Sequence, residues 1–182
     1  MNQRVARLRE GDPDATRDAL RELVPYVRTW LFRMLGRTPD LDDATQEALV
    51  EIARFLPRFE GRSTLTTAAH RITVRVAYRY FKSTAAQTTS LELVPELVDP
   101  DNLESQVMAR EALTRLHRCL QRIPAKRRVA FVLCAIEGMT PAEAARVAGT
   151  TALAMRCRLM YARREVARML EHDPYLARWI TR

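Results

Sequence analysis

This sequence predicts an all-α fold of two small helical domains joined by a flexible acidic linker, and three observations predict it. Apolar residues recur at three- and four-residue spacing in every long segment, and no run alternates with the two-residue period of a strand. Helix openings are marked by Asp12-Pro13, Asp40, Thr64 and Thr140-Pro141, and helix ends by Gly36, Pro57, Pro124 and Gly149. Residues 83–102, STAAQTTSLELVPELVDPDN, are polar, proline-containing and too long for a simple turn. The predicted domains are therefore 1–82 and 103–182, with the linker between them.

Each element has its own local reason. Asp12 caps the first helix with Pro13 in its first turn, where a missing N–H costs nothing. Leu20, Leu23 and Val24 begin its apolar stripe, Pro25 kinks or restarts it, and Val27, Leu31, Met34 and Leu35 carry the stripe on. Asp40 is expected to cap a second helix over 41–56, with Asp43 three residues on and Ala44, Ala48, Ile52 and Phe55 inward. PRFEGRS (57–63) reads as a basic loop. Thr64 caps a long helix to about Lys82, with Leu65, Ala69, Ile72, Val76 and Phe81 inward and Arg71, Arg75, Tyr78 and Arg79 mostly on other faces. Within the linker, LELVPELV is apolar enough to dock. Helices then resume over 103–123 and 126–137, the latter with Val129, Val132, Leu133 and Ile136 inward, and a short tail after Asp173-Pro174 adds Trp179.

The most specific stretch is 138–164, GMTPAEAARVAGTTALAMRCRLMYARR. Thr140 and Glu143 have the spacing of a capping box. Ala144, Ala145 and Ala148 make a thin helix that another can cross closely, and Gly149 suits a left-handed C-terminus. A second helix follows with Met155, Leu159, Ala162 and Val166 on one buried stripe. Arg156 and Arg158 flank that stripe, while Cys157, Met160, Tyr161 and Arg164 point away from it. A short capped helix, a tight turn and a basic second helix form a helix-turn-helix, whose second helix enters the DNA major groove.

Charge is distributed unevenly. Residues 1–82 hold 15 Arg/Lys against 11 Asp/Glu, residues 83–102 four acids and no base, and residues 103–182 15 bases against seven acids. Two basic blocks around an acidic strip imply two nucleic-acid-facing modules and a connector with a different partner. Arginines interleaved with Tyr78 and Tyr80 suit phosphate contact and base stacking on separated strands. The 41–56 helix carries Asp42, Asp43, Gln46, Glu47 and Glu51 opposite its apolar face. Acids in a first turn are favoured by the helix dipole, at ~0.3–1 kcal/mol each. With no nucleophile, phosphate-binding loop or histidine nearby, this face reads as a docking surface for a basic partner rather than a catalytic site.

Three cysteines without a Cys-x-x-Cys pair and three scattered histidines support neither a disulfide framework nor a metal site, and no cofactor is implied. No apolar run reaches membrane-spanning length and the first residues lack a signal-peptide core, so a soluble, cytoplasmic protein without membrane insertion is expected.

In order along the chain come an acidic DxxDxxQE helix, a basic RFxGxS loop and helix, an acidic linker, and then LxxIPxxxRxxFxLxxxEGMTxxEAAxxxG with a basic second helix. This order resembles the small, extracytoplasmic-function (ECF, group IV) type of bacterial RNA polymerase sigma factor over roughly residues 12–170. The resemblance implies a non-enzymatic specificity subunit whose partners are core RNA polymerase, promoter DNA and an anti-sigma factor. It implies polymerase docking by Asp40, Asp43, Gln46 and Glu47. Recognition and melting of the minus-ten element fall to Arg58, Gly61, Arg62, Ser63, Thr64, Arg71 and Arg75. Reading of the minus-thirty-five element falls to Arg156, Cys157, Met160 and Tyr161, with Arg158 and Arg163 in support. The linker would thread toward the polymerase active-site and RNA-exit channels.

The chain departs from the family pattern at several positions. Ala68 stands where many members have tryptophan, and Arg75 where they have asparagine. Leu153-Ala154-Met155 replaces a usual Gly-Thr-Val, Cys157 a serine and Tyr161 an arginine. An atypical promoter preference is the expectation. A duplex-binding regulator acting without polymerase, and a sigma-like protein that binds polymerase but no longer opens promoters, are the alternatives.

Overall fold

The structure, a computed structural model, describes residues 3–36, 38–84 and 114–171, and for residues 82–84 the backbone alone. Its elements are α1 (Gln3–Arg9), α2 (Pro13–Leu35), α3 (Leu41–Phe55), a 3-10 turn (Leu56–Arg58) and α4 (Leu65–Thr84) in the first half. The second half holds α5 (residues 114–122), α6 (Ala125–Phe131), one turn of π-helix (Val132–Ile136), α7 (Pro141–Ala148) and α8 (Ala152–Glu171). Among the described residues there is no strand, as the periodicity predicts.

The first half is a three-helix packing of α2, α3 and α4. Ala19, Leu23, Val27, Leu31 and Met34 are fully buried on α2, opposite Ala44, Ala48 and Ile52 of α3 and Ala69 and Val76 of α4. The alanines let the axes approach closely, and the larger side chains fill the space between. Helix α1 is an element the sequence pattern did not reveal. Its one buried residue, Leu8, packs into the core, while Arg7 bonds Asp12 at 2.7 Å and so ties α1 to the start of α2. Asp12 caps α2 as expected, accepting from the amides of Asp14 and Ala15.

Three local expectations are corrected here. Helix α2 runs through Pro25 without a break. Pro25 and Arg21 both lie on the solvent face, so the carbonyl that proline leaves unbonded meets water. Val24 belongs to that outer face and is 39% exposed rather than part of the stripe. Asp40 makes no side-chain cap, because its backbone is already helical (φ −76°, ψ −1°) and a cap residue needs an extended one. A tight turn starts α3 instead, with the Leu41 amide donating to the Thr38 carbonyl and the Asp40 amide to the Thr38 hydroxyl.

In the second half the capping box forms as read: Glu143 donates its amide to the Thr140 hydroxyl, and the Thr140 amide donates to the Glu143 carboxylate. Gly149 ends α7 in the left-handed region (φ 62°, ψ 45°). Thr151, a cap not anticipated, accepts from the Ala154 amide at the start of α8. Met155, Leu159, Ala162 and Val166 are the buried stripe of α8. The 126–137 helix differs from its expected form. The π turn bonds the Glu137 amide to the Val132 carbonyl five residues back, which rotates the next side chains by about one helical position. Ile136 is consequently 37% exposed, and the Glu137 side chain turns inward, 6% exposed.

The two halves are packed together, α4 lying against α6 and α7, and their buried residues form one continuous core. The linker stretch from residue 85 on, with LELVPELV, and the tail with Trp179 lie outside the described residues; residues 83 and 84 extend α4. Of the helix expected over 103–123, residues 114–122 are described.

Candidate nucleic-acid interface

Between the end of α3, the loop after it and the outer side of α4 runs a groove of about 460 Å³. Arg54, Arg58, Arg62, Arg71 and Arg75 line it, over Phe55, Phe59, Ala68 and Ile72. The 3-10 turn and the positive φ of Gly61 (+73°) bend the chain back so that Arg58 and Arg62 face the α4 arginines. Phe59 is buried beneath them and anchors the loop. Guanidinium groups above an aromatic floor can hold phosphates at the rim and take unstacked bases within.

Of the residues expected at this surface, Arg58, Arg62, Ser63, Arg71 and Arg75 are brought together on the groove. Gly61 shapes the turn, and Thr64 is occupied as a cap, accepting from the Thr67 amide at 3.1 Å. Arg54 and Phe59 were missed. A period-3.6 reading treats Arg54 as solvated, and nothing local marks Phe59 as buried.

The expected stacking residues of α4 lie elsewhere. Arg79 reaches across to Glu47 (2.7 Å) and Glu51 (2.6 Å) on α3. Burial and a hydrogen bond to Glu47 push the Tyr80 phenol up to about 12. Tyr78 is half-buried, edge-on to Phe81, with its hydroxyl also pushed up by burial and opposed by nearby Arg158. The reason is tertiary: the C-terminal half of α4 is covered by α3 on one side and the second half of the chain on the other.

On the acidic face Asp42, Asp43 and Gln46 are exposed, Asp40 and Glu47 partly so. Arg28 pairs with Asp42. Four carboxylates therefore remain on one side of α3, two of them engaged by Arg79.

On α8, Arg156, Cys157, Met160, Tyr161 and Arg163 are exposed along one side, and Leu153, at 65%, is the most exposed large apolar residue described. Arg158 is half-buried toward α4. Tyr161 is held by Arg127 of α6, whose guanidinium lies 4.9 Å from the ring centre and also pairs with Glu165. No group of three or more His, Cys, Asp or Glu side chains that could hold a metal occurs among the described residues. No helix among them is long and apolar enough to cross a membrane.

Two arginine surfaces, one of them a helix-turn-helix, and a separate acidic face define a helical DNA-binding protein with a protein partner. Residues 19–87 match Sigma-70 region 2 and residues 113–166 match Sigma-70 region 4. Over 142 residues the chain is 31% identical to the ECF RNA polymerase sigma factor SigM of Mycobacterium tuberculosis, covering 77% of this chain and 69% of that one. It is 30% identical over 155 residues to the ferric citrate uptake sigma factor FecI of Escherichia coli, covering 81% and 82%. In fold it is similar to CnrH solved in complex with the cytosolic domain of CnrY, with a TM-score of 0.65, 22% identity and coverage of 93% and 96%. It is also similar to RpoE of Bartonella quintana solved with the anti-sigma factor NepR, with a TM-score of 0.63, 18% identity and coverage of 86% and 97%. The chain belongs to the ECF sigma factors: it is an alternative sigma factor that directs transcription initiation with core RNA polymerase.

Proposed function

We propose that this sigma factor divides its work among three surfaces and two domains, residues 1–82 and 103–182. Asp40, Asp43, Gln46 and Glu47 dock core polymerase. The groove of Arg58, Gly61, Arg62, Ser63, Thr64, Arg71 and Arg75, extended by Arg54, captures the melted minus-ten strand. Arg156, Cys157, Met160 and Tyr161 read the minus-thirty-five duplex, with Arg158 and Arg163 on phosphates. The observation that carries this reading is the arginine-rimmed, aromatic-floored groove, since duplex binding alone needs no such cleft. Unstacking a base costs roughly a few kcal/mol, which the groove and the polymerase together must offset.

Ala68 on the groove wall leaves space that a tryptophan would fill, and Leu153, Cys157 and Tyr161 change the chemistry at the other surface. Both support an atypical promoter preference. RpoE of Bartonella quintana, similar in fold, was solved with the anti-sigma factor NepR, which supports such a partner here, acting in the cytoplasm. The protein has no enzymatic role of its own in this reading.

The test is transcription by purified core polymerase with and without the protein, on a template carrying the region upstream of its own gene. New start sites that vanish with Asp43→Lys and Glu47→Lys are expected. Core binding without initiation would favour a factor that no longer opens promoters. Failure to bind core would leave a duplex-binding regulator.

A further inference from the structure

Helix α8 carries a second apolar stripe, and this one faces water. At about 100° per residue, Leu153, Cys157 and Met160 fall within ~60° of one another, on the side opposite the buried stripe. Leu153 is 65% exposed, Met160 42%, and Cys157 is exposed as well. Single apolar residues scattered over a surface need no explanation. Three in line down the outer side of one helix do. Cations border them: Arg156 and Arg163, both exposed, run along one edge, and Arg164 follows Met160 one turn on. On the other edge the Tyr161 ring is held against Arg127 of α6, 4.9 Å from its centre, which leaves the stripe itself uncovered.

The start of the stripe is firmly placed. Gly149 ends α7 in the left-handed region, and the Thr151 hydroxyl accepts from the Ala154 amide at 3.1 Å, which fixes the backbone around Leu153. Leu153 is the second residue of α8. In a helix-turn-helix the N-terminal residues of the second helix are the ones that contact base edges. A leucine there has neither donor nor acceptor to offer. Among the groups that base pairs present in the major groove, the C5-methyl of thymine is the apolar one. Phosphates and guanine acceptors suit the bordering arginines instead. An apolar strip between cationic rims therefore fits a duplex groove, with phosphates outside and a methyl within.

We infer that Leu153 is a specificity-determining residue that reads a thymine methyl in the minus-thirty-five element, with Cys157 and Met160 continuing the apolar contact along the groove. This rests on the placement of α8 on that duplex, proposed above, and adds which base is read and through which chemical group. Removing one methyl from such a contact changes affinity about fourfold, the equivalent of ~0.8 kcal/mol.

The test lets holoenzyme, core polymerase with the full chain, select duplexes from a promoter library randomised at the minus-thirty-five element. Wild type is expected to enrich thymine at one or two positions. Replacing that thymine with uracil deletes the methyl and keeps every hydrogen-bonding atom, so wild-type affinity should fall about fourfold. Leu153→Ala should bind both duplexes alike, and its own selection should lose thymine at that position alone. Leu153→Gln, which brings a donor and an acceptor, should shift the preference there toward adenine. Because Leu153 is exposed, both variants should keep the wild-type circular dichroism and thermal midpoint. Sequence preference without thymine, or uracil tolerated by wild type, would overturn the methyl contact while leaving α8 as the reading helix. A uracil effect that Leu153→Ala leaves unchanged would overturn the assignment to Leu153. Loss of all sequence preference at the element, in wild type itself, would instead overturn the placement of α8 on the duplex, and the inference with it.

Discussion

Helices α4 and α8 invite comparison, since each has 20 residues, several arginines and an apolar stripe. Their arginines nonetheless meet different fates. On α8 the expected base-reading side stays open along its length, because the helix packs on α6 and α7 through a single stripe. On α4, packed against α2, α3, α6 and α7, only the outer arginines Arg71 and Arg75 reach a groove, while Arg79 is neutralised by Glu47 and Glu51. An arginine on a helix thus stays available to an outside anion only where no neighbouring element supplies a carboxylate first. One helix keeps an open basic side, the other is a wall of a cleft.

The largest expected effect comes from the cleft. Arg71→Glu with Arg75→Glu should reduce transcription by ~100-fold or more, at ~1–3 kcal/mol per lost contact, with core binding unchanged in a pull-down. Retained activity would mean that α4 offers no DNA surface at all, and the contrast with α8 would be absolute.

Next in size is Gly36→Ala. Gly36 has φ +81°, and an added Cβ would come within 2.4 Å of the His117 ring. Backbone strain and overlap together should cost ~2–3 kcal/mol, visible as a lowered thermal midpoint. A neutral result would mean that the halves slide freely past each other and that α4 is no more confined than α8.

The buried groups between the two halves set a pH dependence that α8 should lack. His70 and His117 are lowered from 6.5 to about 4, so the unfolded chain takes up their protons first and stability falls as pH drops below 6.5. Glu137, raised from 4.5 to about 7, acts in the opposite sense and is protonated first in the folded chain. Between about pH 6.5 and 4.5 unfolding takes up a net of about one proton, giving a loss of at most ~1.4 kcal/mol per pH unit. Denaturant titrations across this range should show that slope, and Glu137→Gln should steepen it toward ~2.7 kcal/mol per unit. A flat profile would mean that the junction of the halves is hydrated and both helices equally open.

The smallest effect belongs to Arg79→Ala. Its pairs with Glu47 and Glu51 are largely exposed, so the loss should stay below ~1 kcal/mol. Transcription should change less than threefold, against the large loss at Arg71 and Arg75. A large loss would return Arg79 to the DNA surface.

Local chemistry wrote much of this molecule legibly. The caps at Asp12, Thr64 and Thr140, the left-handed Gly149 and the stripe Met155–Leu159–Ala162–Val166 all depend on residues within a turn or two of one another. The helix-turn-helix was readable for that reason, and so were most groove arginines, grouped by one loop and one helix. Errors arose where the deciding partner was distant or the phase shifted. Asp40 holds the cap position without a side-chain bond because a turn at Thr38 sets its backbone helical, Pro25 was tolerated because its face meets water, and Ile136 was turned outward by an inserted π turn.

By itself, then, the sequence determined the helices, their caps, their apolar faces and the order of acidic and basic surfaces, because periodicity and capping act over a few residues. Only the tertiary structure decided which arginines remain available, that Phe59 and Arg54 join the groove, and that His70 of the first half meets Glu137 of the second. Those outcomes depend on side chains far apart in the chain competing for the same space and charge, and no local pattern encodes the winner.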